Sequence, residues 1–251
     1  MTTYDEYNEE CLERNKRLNP ENYIDVSTKQ GVNDFIYAKG NQLGITIEGW
    51  TVNDDLSVDA STFDIGIPNR GGLFLTDENG KHYLKVKFSK VKNFTSYFNF
   101  LYTTKNFPEQ VFGHFNVTDC RLSSAIGGPR KVRGYCSYAN NRLKTIEGLP
   151  EFVGMTLDIA GNKSIKHLKD IHKIVKSCRT ISLPGKIKSN ILGLILIEDL
   201  AQIRLGSKEK IINPGLTQAI EIMNKHLLGN RDILECQEEL IVNGLKEYAK
   251  L

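Results

Sequence analysis

The chain has 251 residues, 40% hydrophobic and 25% charged, with 33 basic and 30 acidic side chains and a net charge of +3. That balance excludes a disordered or collagen-like chain, and the length allows one large core or two small ones. The longest apolar run lies within Ile191–Ile197, far short of the roughly 20 residues of a membrane span, and the acidic opening Met-Thr-Thr-Tyr-Asp-Glu lacks the apolar core of a signal peptide.

Cys11, Cys120, Cys136, Cys178 and Cys236 form no CxxC pair. An odd count without a secretion signal predicts reduced thiols in a cytoplasm. His82, His114, His167, His172 and His226 complete no ligand set with them; His167 and His172 are five apart, which misses the four-residue step of a helical zinc pair. The expectation is no metal and no cofactor.

In chain order, Thr3-Tyr4-Asp5-Glu6 reads as a capping box, and Tyr4, Tyr7, Cys11 and Leu18 recur at helical spacing until Pro20. A short helix is predicted over Val32–Lys39, ended by Gly40. From Gly44 the period shortens: Ile45, Ile47, Trp50 and Val52 suggest a strand, Asn53-Asp54-Asp55 a turn, and Leu56 and Val58 a second strand. Leu73-Phe74-Leu75 and Tyr83–Phe88 flank Asp77-Glu78-Asn79-Gly80, a hairpin signal.

An internal repeat follows. Val91, Val111, Val132, Val153 and Ile174 are spaced by 20, 21, 21 and 21 residues, and Pro108, Pro129 and Pro150 keep the 21-residue step. Three units carry apolar, any, apolar, two spacers, then Cys or Asn: Phe115, Val117, Cys120; Cys136, Tyr138, Asn141; Leu157, Ile159, Asn162. This resembles the leucine-rich-repeat core, in which alternate strand residues point inward and the Asn satisfies backbone groups where the chain leaves the strand. Flanking copies are degraded. Upstream stand Val91, Phe94 and Asn99; downstream, Cys178 and Thr180 take the apolar positions and Leu183 replaces the Asn. Leu192–Ile197 is predicted as a strand buried on both faces. Pro214–Leu228 and Asp232–Tyr248 read as two helices joined at Gly229-Asn230, a hairpin cap for the repeat array.

The fold class expected is α+β. It comprises an N-terminal helical segment (1–43), a β-rich cap (44–90), a short leucine-rich-repeat-like β-solenoid (91–206) and a C-terminal helical cap (207–251). Beyond the repeats, Trp50-Thr51-Val52-Asn53-Asp54-Asp55-Leu56-Ser57-Val58-Asp59-Ala60 and Val86-Lys87-Phe88-Ser89-Lys90-Val91 resemble the lead-in of uncharacterised proteins encoded by large tailed bacteriophages. Ile203–Gly206 and Leu234–Ile241 are similar to the ends of the same proteins, so the resemblance covers roughly residues 44–251. In the first full unit Ala125 and Ile126 depart from it. It implies an architecture, a viral origin and an infected-cell cytoplasm as the setting; no activity comes with it.

No nucleophile elbow, P-loop or metalloprotease motif is present, so no catalytic residue is expected. Gly127-Gly128-Pro129-Arg130-Lys131 reads as a turn, and Asp158 with Arg179 as a salt bridge between neighbouring strands. Charge is unevenly distributed. Residues 121–190 hold 14 basic and 4 acidic side chains, whereas residues 1–60 hold 5 basic and 12 acidic ones. Arg121, Arg142 and Lys163 share one repeat position and, with Arg130, Lys131 and Arg133, make a basic ridge suited to phosphates or an acidic protein surface. The exposed strand positions are predicted as His114, Asn116, Tyr135, Ser137, Thr156, Asp158, Ser177 and Arg179. This polar set suits a protein partner and lacks the repeated aromatic platform of a single-strand binder. The expectation is a non-enzymatic module binding a host or viral protein, for instance to inhibit a host defence. A nucleic-acid binder and a virion component are the alternatives, and a homodimer through a terminal face fits the short solenoid.

Overall fold

The computed structural model of the chain describes residues 4–45, 49–68, 73–78, 82–96, 101–206 and 213–251. Helix α1 (Tyr4–Leu18) stops before the 3-10 turn Pro20–Tyr23, as the proline dictates; Thr3 of the expected capping box lies outside the described residues. Helix α2 (Lys29–Leu43) is longer than the expected Val32–Lys39. It starts at Thr28, whose hydroxyl accepts from the Gly31 amide at 3.1 Å, and ends at Gly44, not Gly40. Gly44 has φ +85°, the left-handed cap conformation glycine adopts without cost, whereas Gly40 stays helical and packs against Ile45.

Strand β1 (Thr51–Val52) turns at Asn53–Ser57 into the antiparallel β2 (Val58–Ile67). Leu56, expected to open that strand, sits in the turn with φ +63°. Ile47 lies outside the described residues. Strands β3 (Phe74–Thr76) and β4 (His82–Leu84) form the expected hairpin, with Asn79-Gly80 outside the described residues. The expected Tyr83–Phe88 strand is broken: Lys85 and Val86 bend, and β5 (Phe88–Ser96) begins afresh.

From β2 onward one parallel ladder runs through β5, β6 (Gln110–Val111), β7 (Phe115–Asn116), β8 (Lys131–Val132), β9 (Cys136–Ser137), β10 (Phe152–Asp158), β11 (Ser177–Leu183) and β12 (Gln202–Leu205). The result is a β-solenoid. Its first strand, β2, lies in the segment that the sequence assigns to the β-rich cap, and the expected 90/91 boundary falls inside β5. Three inward columns fill it, in register across the strands. They are Val91–Val111–Val132–Val153–Cys178, then Ile65–Phe94–Phe115–Cys136–Leu157–Ile181–Ile203, and then, from the strand ends, Val117, Tyr138, Ile159 and Leu183. All of them are buried. Parallel pairing puts equal positions side by side, so Phe94 stacks on Phe115 at 5.4 Å between ring centroids; Phe115 also meets Tyr138 of the neighbouring column diagonally, at 5.2 Å. Fully burying each such ring contributes about 1.5–3 kcal/mol.

The buried Asn of each unit ties its turn to the one before. Asn141 Oδ1 accepts from Leu122 N at 2.8 Å while its Nδ2 donates to the carbonyls of Val117, Tyr138 and Ala139. Asn162 repeats this one unit on, with Oδ1 accepting from Leu143 N at 3.0 Å and Nδ2 donating to Tyr138 and Ile159 at 2.9 Å. In the first unit Cys120 offers only weak donation to Ser96 and Thr118 carbonyls. Asn99, in the degraded copy upstream, lies outside the described residues.

The 21-residue step fails after β10. Helix α3 (Ile171–Ile174) lengthens the arc, so Val153 aligns with Cys178, and Leu157 and Asp158 with Ile181 and Ser182. Ile181 and Leu183, not Cys178 and Thr180, therefore hold the two inward positions after the valine column. Leu192–Leu196 is a 3-10 helix rather than the expected strand; the last strand is β12. Helices α4 (Pro214–Leu228) and α5 (Ile233–Val242) close that end, α5 stopping short of the expected Tyr248. Asn224 of α4 clamps the outer edge of β12: its Oδ1 accepts from Ile203 N and its Nδ2 donates to Ile203 O, both at 2.7 Å. Among the described residues no helix is long and apolar enough to cross a membrane.

Candidate functional site

The turns that follow the strands decide where the basic side chains go. Asp119, Asn140 and Gly161 occupy one position in three units and all adopt left-handed φ values, +61°, +54° and +73°. Asp, Asn and Gly tolerate that conformation better than other residues. At Gly161 a Cβ would stand 2.1 Å from Asn140 Oδ1, so the third turn also needs the absence of a side chain. The chain then alternates. In the middle unit Asn141 and Leu143 point into the core and Arg142 and Lys144 point out; in the first, Cys120 and Leu122 are buried while Arg121 and Ser123 keep partial exposure.

The outward residues line a groove of about 1190 Å³. Five cations, Arg121, Arg142, Lys144, Lys163 and Lys186, face two carboxylates, Asp119 and Asp158. Among the described residues, Arg142, Lys144, Lys163 and Lys186 form no ion pair. At the strand spacing of about 4.8 Å, adjacent like charges repel by about 1 kcal/mol in water. Splaying of long side chains lowers that repulsion, and a bound anion converts it into attraction.

The floor of the groove is held by hydrogen bonds repeated from strand to strand. Asn116 Oδ1 accepts from Thr118 N at 3.1 Å, Ser137 Oγ from Ala139 N at 3.2 Å and Asp158 Oδ1 from Ala160 N at 3.0 Å. Tyr135 crosses two residues of sheet to donate its hydroxyl to Asp158 Oδ2 at 3.0 Å, and burial raises the phenol pKa. His114 is exposed, and its Nδ1 accepts from the Tyr135 amide at 3.0 Å. Thr156 shares that column, half-buried.

The expected site residues thus divide. Tyr135, Ser137 and Asp158 meet Arg121, Arg142 and Lys163 in the groove. The lengthened arc takes Ser177 and Arg179 out of the expected column: Ser177 pairs with Phe152 and bonds Asp199 at 2.9 Å, while the positions beside Thr156 and Asp158 belong to Thr180 and Ser182. No Asp158–Arg179 salt bridge forms; Ser182, beside Asp158, accepts instead from Arg204 Nε at 2.8 Å.

Arg130, Lys131 and Arg133 do not extend the ridge. They lie at the other end of the strands, where Arg130 pairs through two nitrogens with Glu151 at 3.0 and 3.1 Å. Lys131 stands 6.0 Å from the Phe152 ring centroid and Arg133 4.8 Å from that of Phe112, an arrangement of cation over aromatic face. Lys144 and Lys186 belong to the groove and were not singled out by sequence. For Lys144 the signal was there, because alternation about the buried Leu143 puts it on the same side as Arg142.

The thiols of Cys120, Cys136, Cys178 and Cys236 are buried, and burial pushes those of Cys120 and Cys236 up to about 11 and that of Cys178 to about 12. Among the described residues no group of three or more His, Cys, Asp or Glu side chains could hold a metal ion. Comparison with known proteins finds no matching family model, no similar curated protein and no similar solved structure.

Proposed function

We propose that the protein is a non-enzymatic binding module whose cationic groove receives an acidic segment of a partner protein. The observation that carries this is the convergence of five cations and two carboxylates on a floor of hydrogen-bonded turns. A polypeptide brings both carboxylates for Arg142 and Lys163 and amide donors for Asp119 and Asp158; a phosphodiester backbone brings only acceptors. The resemblance to tailed-bacteriophage proteins supports a host or viral protein as that partner, with inhibition of a host defence protein as the matching role.

A second reading, nucleic-acid binding, is favoured by a different place. Lys131 with Phe152 and Arg133 with Phe112 set cations against partly exposed rings, the combination single strands use. Fluorescence anisotropy with an Asp/Glu-rich peptide and a single-stranded oligonucleotide separates the two. The groove reading expects the peptide to bind and Arg142→Glu with Lys163→Glu to weaken it at least tenfold, about 1.4 kcal/mol. Tighter oligonucleotide binding, lost in Lys131→Glu with Arg133→Glu and untouched by the groove pair, would replace it.

A further inference from the structure

A second column of cations runs beside the first. Leu143, Ile165 and Ile187 are buried, and each is followed by a lysine that keeps exposure: Lys144, Lys166 and Lys188. The last two are in line, since Lys188 N donates to Lys166 O at 2.8 Å and His167 and Ser189 form a parallel bridge next to them. Lys166 is also tied to the groove, because its ammonium donates to the carbonyl of Lys163. Burial, with Lys186 and Lys188 nearby, holds its pKa below that of a free lysine. Among the described residues Lys166, Lys186 and Lys188 form no ion pair.

The two columns flank the buried one, as Arg142 and Lys144 flank Leu143, with about 6–7 Å of chain between them. Across the strands, Arg121 and the rung of Lys186 and Lys188 are three steps apart, about 14 Å. An extended chain advances about 3.4 Å per residue and sends successive side chains to opposite sides. Laid over the buried column, about five such residues reach from end to end, and consecutive carboxylates turn alternately to the two columns. A helix covers the same distance with about nine residues, and only those three or four apart share the face it would turn to the groove.

We propose that the partner's acidic segment is an extended run of consecutive Asp and Glu residues, lying across the strands between the two columns and ending on the cluster of Lys166, Lys186 and Lys188. This rests on the groove being an acidic-segment site. It specifies the conformation and length of the segment, and it adds Lys166 and Lys188 to the residues that select it. The cluster anchors that end: a carboxylate placed there pairs with one ammonium and relieves the mutual repulsion of all three.

Fluorescence anisotropy on the full chain at low salt tests this with three labelled peptides. One carries six consecutive glutamates between Gly-Ser flanks, one carries three in the same frame, and one is an alanine-rich helix with six glutamates at four-residue spacing. The six-glutamate run is expected to bind about tenfold more tightly than either of the others. Lys166→Gln with Lys188→Gln is expected to weaken it about fivefold, the scale of two exposed ion pairs. Lys29→Gln with Lys176→Gln removes the same charge from exposed lysines elsewhere and is expected to leave it unchanged. The peptide comparison uses the unaltered chain, so it decides even where a variant fails to fold. Equal or tighter binding of the helical peptide, or an affinity indifferent to the Lys166 and Lys188 pair, overturns the proposal. The groove reading survives that result if Arg142→Glu with Lys163→Glu still weakens binding; if no acidic peptide binds, both fall. An oligothymidylate that outcompetes the six-glutamate run and is itself weakened by Lys166→Gln with Lys188→Gln gives the columns to phosphate and also overturns the proposal.

Discussion

Asn162 offers a quantitative test of how the solenoid is held together. Replacing it with leucine, which is close in shape, removes its hydrogen bonds without opening a large cavity. Not every group it touches is left bare. Tyr138 O keeps Asn141 Nδ2 at 3.0 Å, and Ala160 O keeps the Asn140 amide at 2.8 Å. The groups that lose the side-chain amide without such cover are Leu143 N–H and Ile159 C=O, in a fully buried setting. A buried donor left unsatisfied costs about 1–3 kcal/mol and a carbonyl somewhat less, so Asn162→Leu is expected to lose about 2–4 kcal/mol. That is a large share of the roughly 5–15 kcal/mol typical of a domain. Urea unfolding followed by circular dichroism measures the total. Hydrogen exchange at Leu143 reports where it is lost, since a solenoid unit contacts only its neighbours. A loss under about 1 kcal/mol with an unchanged m-value, or unaltered protection at Leu143, would refute the reasoning.

Three further outcomes follow from single sites. Among the described residues Tyr138 Oη is buried without a hydrogen-bond partner, and a Cβ on Gly128 would come within 2.2 Å of it, so Tyr138→Phe is expected to stabilise the chain by about 1 kcal/mol. A lower thermal midpoint for that variant would show the hydroxyl to be satisfied. The raised pKa values of the buried thiols keep them protonated at neutral pH; a maleimide should therefore modify Cys11 in the native chain and reach the other four only after denaturation, as mass spectrometry would show. Rapid native labelling of Cys178 would contradict this. Hydrogen bonds from Ser57 and from Lys87 hold Asp55 at about 2, below its unfolded value near 3.8. Its stabilisation is complete above the unfolded value and disappears as pH falls through the folded one, so Asp55→Asn should flatten the acid limb of a stability–pH curve between about pH 4 and 2. An acid limb identical to that of the parent chain would remove Asp55 from the account.

The solenoid could be read from sequence because its inward columns and its buried Asn recur at a constant step, and a parallel ladder turns equal spacing into direct contact. Where the step changed, the reading failed. The arc between Asp158 and Ser177 holds α3, and nothing in its composition announces the added residues, so Ser177 and Arg179 were assigned a column that belongs to Thr180 and Ser182. Leu192–Leu196 misled for another reason: a short run apolar on every side is compatible with a strand or a helical turn, and only its burial beside the terminal helices decides. Half of the groove was visible as Arg121, Arg142 and Lys163. The split of the ridge was not, because Arg130, Lys131 and Arg133 are close in sequence to Arg142 yet start a strand whose far end carries the groove.

The clamp of Asn224 on Ile203 has a consequence for how such chains change over time. It fastens the last strand from outside the repeat, using an amide that engages backbone and reads no side chain of β12. Any strand brought to that position presents the same N–H and C=O. Units can therefore be gained or lost upstream with the terminal helices kept as they are, and each such event adds or removes one rung of outward-facing turn residues. Length becomes a variable separate from fold, and the charge pattern offered to a partner can be extended or shortened without rebuilding either end.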